Sequence, residues 1–157
     1  MNMEQAKKKE WVDWQNTKVL QKAVVVDEEG NILVIKRTEE GPASRKGKWD
    51  LPGGSMGPTD LKEGAPHEAA IRREGGEETG LRVEEVRPVY VGSWFFERSV
   101  GKVLGVAIGY ICMVGGIMPE PKLSPEHVDQ YWGKKEEILQ MDFGDDGGLH
   151  LAIIKLV

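Results

Sequence analysis

Blocks of β-branched residues alternate along the chain with segments broken by glycine, proline and charge. Val19–Val26 (VLQKAVVV) is one such block, Asp27–Asn31 carries turn residues, and Ile32–Ile35 resumes the apolar run. This pattern predicts a strand, a hairpin turn and a second strand. Trp49–Leu51 predicts a short strand entering a turn at Pro52-Gly53-Gly54, and Ser55–Gly64 reads as an irregular insertion. Pro66 suits the first turn of a helix that should run to about Thr79, with Gly80 as its left-handed stop. Ala69 and Ala70 would let this helix lie close to a sheet, and Ile71 would anchor it. Val89–Phe96 and Val103–Val114 predict long strands joined through Glu97–Lys102. Trp94 and Phe96 then share one strand face and Phe95 takes the other. Such aromatics usually belong to a core, although Trp94 and Phe96 are also candidates for stacking a nucleobase. A loop over Gly115–Pro125, a short strand near Asp129–Trp132 and a short helix over Lys134–Gln140 follow. A terminal helix within Asp145–Leu156, capped by Asp145 or Asp146, completes the pattern. With no internal repeat and no long linker, residues 1–18 read as an N-terminal arm and 19–157 as one domain. Trp11 and Trp14 would cover the edge of that domain, or else form a homodimer contact.

The end of the central helix defies local stability. Glu74, Glu77 and Glu78 stand at i, i+3 and i+4, so they share one helical face. Like charges at these spacings cost roughly 0.2–0.5 kcal/mol per pair. They also crowd the terminus where the macrodipole favours cations. Gly75 and Gly76 each weaken the helix by about 0.8–1 kcal/mol relative to alanine. A solvated acidic helix end is the plainer explanation. A hard divalent cation held by carboxylate oxygens would compensate all three penalties at once.

The letters around the glutamates add to this. Arg73-Glu74-Gly75-Gly76-Glu77-Glu78-Thr79-Gly80-Leu81 resembles the core of the Nudix signature, G-x5-E-x7-R-E-U-x-E-E-x-G-U, where U is bulky and apolar. Trp49-Asp50-Leu51-Pro52-Gly53-Gly54 is similar to the family's run into that box. Ser124-Pro125-Glu126-His127, with Trp132 and Glu136-Glu137-Ile138 after it, is similar to the family's late loop and following helix. The chain departs from the pattern in three respects. Twelve residues separate Asp60 from Arg73 where the signature has seven, Ala65 stands where a count back from Arg73 expects a glutamate, and Gly75 takes the U position. Asp60, Glu63 and Glu68 are the candidates to replace the missing glutamate, which in the family mainly supports the box.

The resemblance implies an α/β/α sandwich with a mixed β-sheet, and hydrolysis of a nucleoside diphosphate linked to another moiety. It implies Glu74, Glu77 and Glu78 as ligands for Mg²⁺ (or Mn²⁺) and Arg73 as the residue orienting a box glutamate. Glu74 and Glu126 are the two candidates for general base, with His127 reading as a surface or hydrogen-bonding residue. Gly53 and Gly54 would present backbone to metal or phosphate, and Arg37, closing the second strand, would reach phosphate or simply end the strand at the surface. A triphosphate, an oxidised nucleotide and a nucleotide sugar all fit as substrate. The alternative is a Nudix-fold nucleotide-binding or regulatory module with impaired catalysis.

Composition narrows the setting. The 157 residues carry a net charge of −5, which argues against nucleic-acid binding through a basic face and asks for cations beside any polyphosphate. There is no apolar run of about 18 residues to suggest a membrane span. The single cysteine, Cys112, lies in an apolar strand and reads as a buried, inert thiol, which suits a cytoplasmic, reducing setting.

Overall fold

The computed structural model describes residues 16–40, 45–62, 64–99, 101–144 and 148–157. Its elements in order are β1 (Thr17–Val26), β2 (Ile32–Arg37), β3 (Trp49–Asp50), β4 (Gly53–Ser55), α1 (Pro66–Thr79), β5 (Val83–Arg98), β6 (Gly101–Val114), β7 (His127–Gly133), α2 (Lys135–Ile138) and α3 (Gly148–Ile154). A 3₁₀ turn at Asp60–Lys62 precedes α1. Trp11, Trp14, Glu63, Asp145 and Asp146 lie outside the described residues. No described helix is long and apolar enough to cross a membrane.

All seven strands join one mixed sheet. β1 runs parallel to β6 along its whole length, and the other pairings are antiparallel. Period-two alternation divides β1 cleanly. Ala23 and Val25 pack with Leu33, Ile35, Tyr110 and Cys112 under Ile71 of α1. Val24 and Val26 pack on the opposite face with Ile138 of α2 and Ile153 and Ile154 of α3. The result is the expected sandwich of helices on both faces of a sheet.

The sheet is split where the site forms. β1 and β2 pair only at Val25↔Leu33 and Val26↔Ile32. β4 then takes up the free edge of β1 at Leu20–Lys22, while β3 pairs with β2 at Ile35 and Lys36. The short connection through Leu51 and Pro52 therefore fills a wedge between diverging strands, and the Ala23 N–H donates to the Pro52 carbonyl at 2.8 Å. Asp27 locks the hairpin between β1 and β2. Its carboxylate accepts from the backbone of Glu29, Asn31 and Met118 and from the Asn31 amide.

β5 departs from expectation. It starts at Val83, six residues before the expected strand, because Glu84, Glu85, Arg87 and Pro88 disguise it. An edge strand tolerates charge and proline, and irregular register at Val83/Glu85 and Pro88/Tyr90 absorbs the misfit. None of its residues is buried. The core role expected of its aromatics is thus overturned: Trp94 is 41% exposed and Phe95 63%, with Phe96 half-buried beside Trp94. Cys112 is buried as expected, and burial pushes its thiol up to about 12.

Candidate metal and phosphate site

The helix α1 has the bounds the sequence expects, with Pro66 at its start and Gly80 left-handed (φ 67°) at its end. Its rotation decides what each glutamate meets. Ala70, Ile71, Gly75, Glu78 and Thr79 face the sheet and are buried. Glu78 therefore reaches inward, where its Oε2 accepts the Gly53 N–H at 2.9 Å. Burial pushes its carboxyl up to about 7, against the opposing pull of Lys22 and the Gly53 N–H. Glu74, one turn earlier, lies against Gly54, where an added Cβ would stand 2.8 Å from the Glu74 carboxyl carbon. At Gly53, with φ 148°, an added Cβ would stand 2.0 Å from the Gln21 carbonyl oxygen. The glycine pair thus sits inside strand β4 rather than in a free turn, because only bare backbone fits between β1 and the two glutamates.

Arg73 organises the outer side. Its Nε and Nη2 donate to the two oxygens of Asp60 at 2.9 and 3.0 Å, its Nη2 to Glu74 at 3.0 Å and its Nη1 to Glu77 at 3.2 Å. Asp60 is buried, with its carboxylate held below its ordinary range by Arg73 and by the Gly57 N–H despite burial. Of the two described residues weighed as replacements for the missing box glutamate, Asp60 and Glu68, Asp60 grips the arginine. Glu68 instead pairs along the helix with Arg72 at 3.8 Å. Glu77 remains largely exposed.

The late loop closes onto the end of α1. Lys122 and Ser124 donate backbone hydrogen bonds to the carbonyls of Thr79 and Glu78, which the helix itself leaves unpaired. This brings Glu126 and His127 to Glu78: one ligand atom from each of the three lies within 4.8 Å of the others. Glu126 is exposed. His127, expected at the surface or hydrogen-bonded, is buried and hydrogen-bonded, with Nδ1 3.2 Å from Ser124 Oγ.

Behind the glycine pair lies a buried charged hub that sequence reasoning missed. Asp50 meets Lys22 at 3.0 Å, His150 Nε2 at 2.6 Å and Arg37 at 3.4 Å, with Arg45 at 3.9 Å. Burial pushes the Asp50 carboxyl upward, but Lys22, His150 and Arg45 outweigh it and hold the group well below the usual range. Burial, aided by Lys22 and Arg45, keeps His150 below its ordinary value despite Asp50. The neutral imidazole then donates from Nε2 to Asp50. Arg37, expected to reach phosphate, is half-buried at the rim of this hub. The signal in the sequence was Gln21-Lys22, two polar residues amid a β-branched run. On the same sheet face a cavity of about 550 Å³ opens between Leu20, Tyr90, Gly92 and Trp94 on one side and Arg45 and His150 on the other. Small residues make its floor, and the Trp94 ring lies directly over Gly105. Trp94 lines this cavity, and Phe96 stacks behind it at 6.4 Å.

The NUDIX domain family model matches the chain over residues 19–150. Among solved structures, the fold is similar to a MutT protein from Methanosarcina mazei Go1, with 27% identity, 88% of this chain and 91% of that chain covered, and a TM-score of 0.61. It is also similar to the NUDIX domain of Shewanella oneidensis NrtR complexed with ADP ribose (16% identity, 99% and 97% covered, TM-score 0.65). A C. elegans Ap4A hydrolase binary complex is similar in the same way (17% identity, 88% and 93% covered, TM-score 0.61). At their identities the last two speak to the fold alone. No curated protein sequence matches the chain.

Proposed function

Because the chain belongs to the Nudix family and is a Nudix-type pyrophosphohydrolase, we propose that it splits a nucleoside diphosphate derivative with Mg²⁺ held at Glu74, Glu77 and Glu78. The observation that carries this reading is the close approach of Glu74 and Glu78 to Gly53-Gly54, where Glu78 accepts the Gly53 N–H and no side chain on either glycine would fit. Nudix enzymes generally use divalent metals, and these oxygen donors suit a hard cation that keeps several waters. A bound Mg²⁺, or Mn²⁺ in its place, supplies charge neutralisation at the phosphate oxygens and acidifies the attacking water.

The chain's own residues do the positioning. Asp60 fixes Arg73, and Arg73 in turn fixes Glu74 and Glu77. Arg37 lies at the rim where phosphate would arrive, and the Trp94 cavity, with Phe96 behind it, takes the base or sugar. Water attacks one phosphorus, the bond to the bridging oxygen breaks, and the water's proton passes to Glu74 or Glu126. Ala65, the long insertion before the helix and Gly75 motivate the alternative of an impaired binding module, and two of the three have local remedies. Asp60 supplies the support that Ala65 lacks, and Val83 lies 3.9 Å from where a Cβ on Gly75 would stand.

A panel of nucleoside triphosphates, oxidised nucleotides and nucleotide sugars, assayed with Mg²⁺ for released phosphate or pyrophosphate, tests the reading. At least one should turn over, and Glu74→Gln, Glu77→Gln and Glu78→Gln should each lower kcat by roughly 100-fold or more, matching the several kcal/mol a metal supplies. Wild-type rates in all three variants would sink the ligand assignment. Mg²⁺ should also raise Tm relative to EDTA, since it binds the folded state.

A further inference from the structure

A second donor set stands where the end of α1 meets the late loop, and the hydrolytic reading leaves one of its members without a task. Glu78, Glu126 and His127 offer ligand atoms within 4.8 Å of one another. Donors on opposite sides of one ion with bonds of about 2.1 Å lie about 4.2 Å apart, so small side-chain shifts would close this set on a single cation. His127 is only 6% exposed, and its Nε2 is buried with no hydrogen-bond partner among the described residues. A buried ring nitrogen left unpaired costs free energy, and a native fold retains one for a reason. Its partner nitrogen, Nδ1, is already steered by Ser124 Oγ, the kind of contact that fixes the ring of a metal-bound histidine. The backbone holds the set in place from both sides. Ser124 N–H donates to the Glu78 carbonyl, and Thr38 N–H donates to the Glu126 carbonyl.

We propose that Glu78, Glu126 and His127 form a mixed oxygen–nitrogen site for a first-row divalent transition ion such as Mn²⁺, Co²⁺ or Zn²⁺. The proposal rests on the reading of Glu78 as a metal ligand, and it adds a preference that the all-carboxylate set lacks. Imidazole nitrogen favours transition ions, whereas Mg²⁺ prefers oxygen alone. Glu78 belongs to both sets, so the chain holds one oxygen-only position on its Glu74 side and one nitrogen-containing position on its Glu126 side. Three protein donors leave coordination positions free for water or phosphate oxygen.

The test uses the full chain without a histidine tag, stripped of metal and titrated with Mn²⁺ while the free-ion EPR signal is followed. Pulsed EPR on the bound ion then reads ¹⁴N coupling, which only a directly bound nitrogen gives. The wild type should bind Mn²⁺ with ¹⁴N coupling. His127→Gln should lose that coupling and weaken Mn²⁺ by more than the ~10–100-fold that changes around a ligand produce, with Mg²⁺ affinity little changed. Bound Mn²⁺ without ¹⁴N coupling in the wild type, or no Mn²⁺ binding, overturns the proposal. The wild-type spectrum decides even if the variant fails to fold. Those outcomes would leave Mg²⁺-supported hydrolysis standing, whereas a nucleotide panel inert with Mg²⁺ would remove the hydrolytic reading whatever the spectrum shows.

Discussion

Glu78 shows how one side chain couples function to stability. Its burial favours the neutral acid, and the folded-state pKa of about 7 lies above the ordinary value of 4.5. A raised pKa means that the folded chain binds the proton more tightly than the unfolded chain. The contribution is therefore fully present below about pH 4.5 and lost as pH rises through about 7, a swing of roughly 3 kcal/mol in the metal-free protein. Glu78→Gln keeps an acceptor for the Gly53 N–H but removes the charge. In EDTA, the variant should gain Tm relative to wild type on going from pH 5 to pH 8. A constant difference across that range would show that Glu78 titrates normally. In the proposed reading, a cation would compensate this destabilised carboxylate.

At the scale of the element, α1 is a helix assembled against its own propensities. Ala65 at its N-cap makes no side-chain cap hydrogen bond, and no basic residue stands in its last turn. Burial of Ala70, packing of Ile71 on the sheet and the late-loop bonds to the last carbonyls hold it instead. Two of its weaknesses are removable. A Cβ at Gly75 would meet Val83 at an ordinary 3.9 Å, and one at Gly76 would meet nothing within 4 Å. Gly75→Ala and Gly76→Ala should each stabilise by about 0.5–1 kcal/mol, read as a rise in the midpoint of urea unfolding with unchanged slope. Gly53→Ala and Gly54→Ala have no such room and should destabilise, since a Cβ would collide with backbone or with Glu74.

At the scale of the whole molecule, the Asp50 hub ties the split sheet to the C-terminal helix. Lys22 comes from β1, Arg37 from β2, Arg45 from the loop after it, and His150 from α3. Arg45 also donates to the Phe143 carbonyl at 2.9 Å. Removing the one acid leaves buried cations unpaired, so Asp50→Asn should cost about 3–5 kcal/mol. Denaturant melts would check this, and a loss below 1 kcal/mol would mean the hub is solvated. The hub also walls the Trp94 cavity through Arg45 and His150, so the variant should disturb the proposed nucleotide binding as well as stability.

Local patterns in the sequence were enough to place every strand but β4, the helices in order and the bounds of α1. Helix periodicity, proline and glycine punctuation and β-branched runs all act within a few residues. The same patterns hid the first six residues of β5, because an edge strand tolerates charge and proline. They also could not select among Asp60, Glu63 and Glu68, since a twelve-residue gap has no fixed path. The grip of Asp60 on Arg73, the approach of Glu126 and His127 to Glu78, and the meeting of Lys22, Asp50 and His150 were decided by the tertiary structure. Each joins residues beyond the reach of any local pattern, so the packing of whole elements decided them.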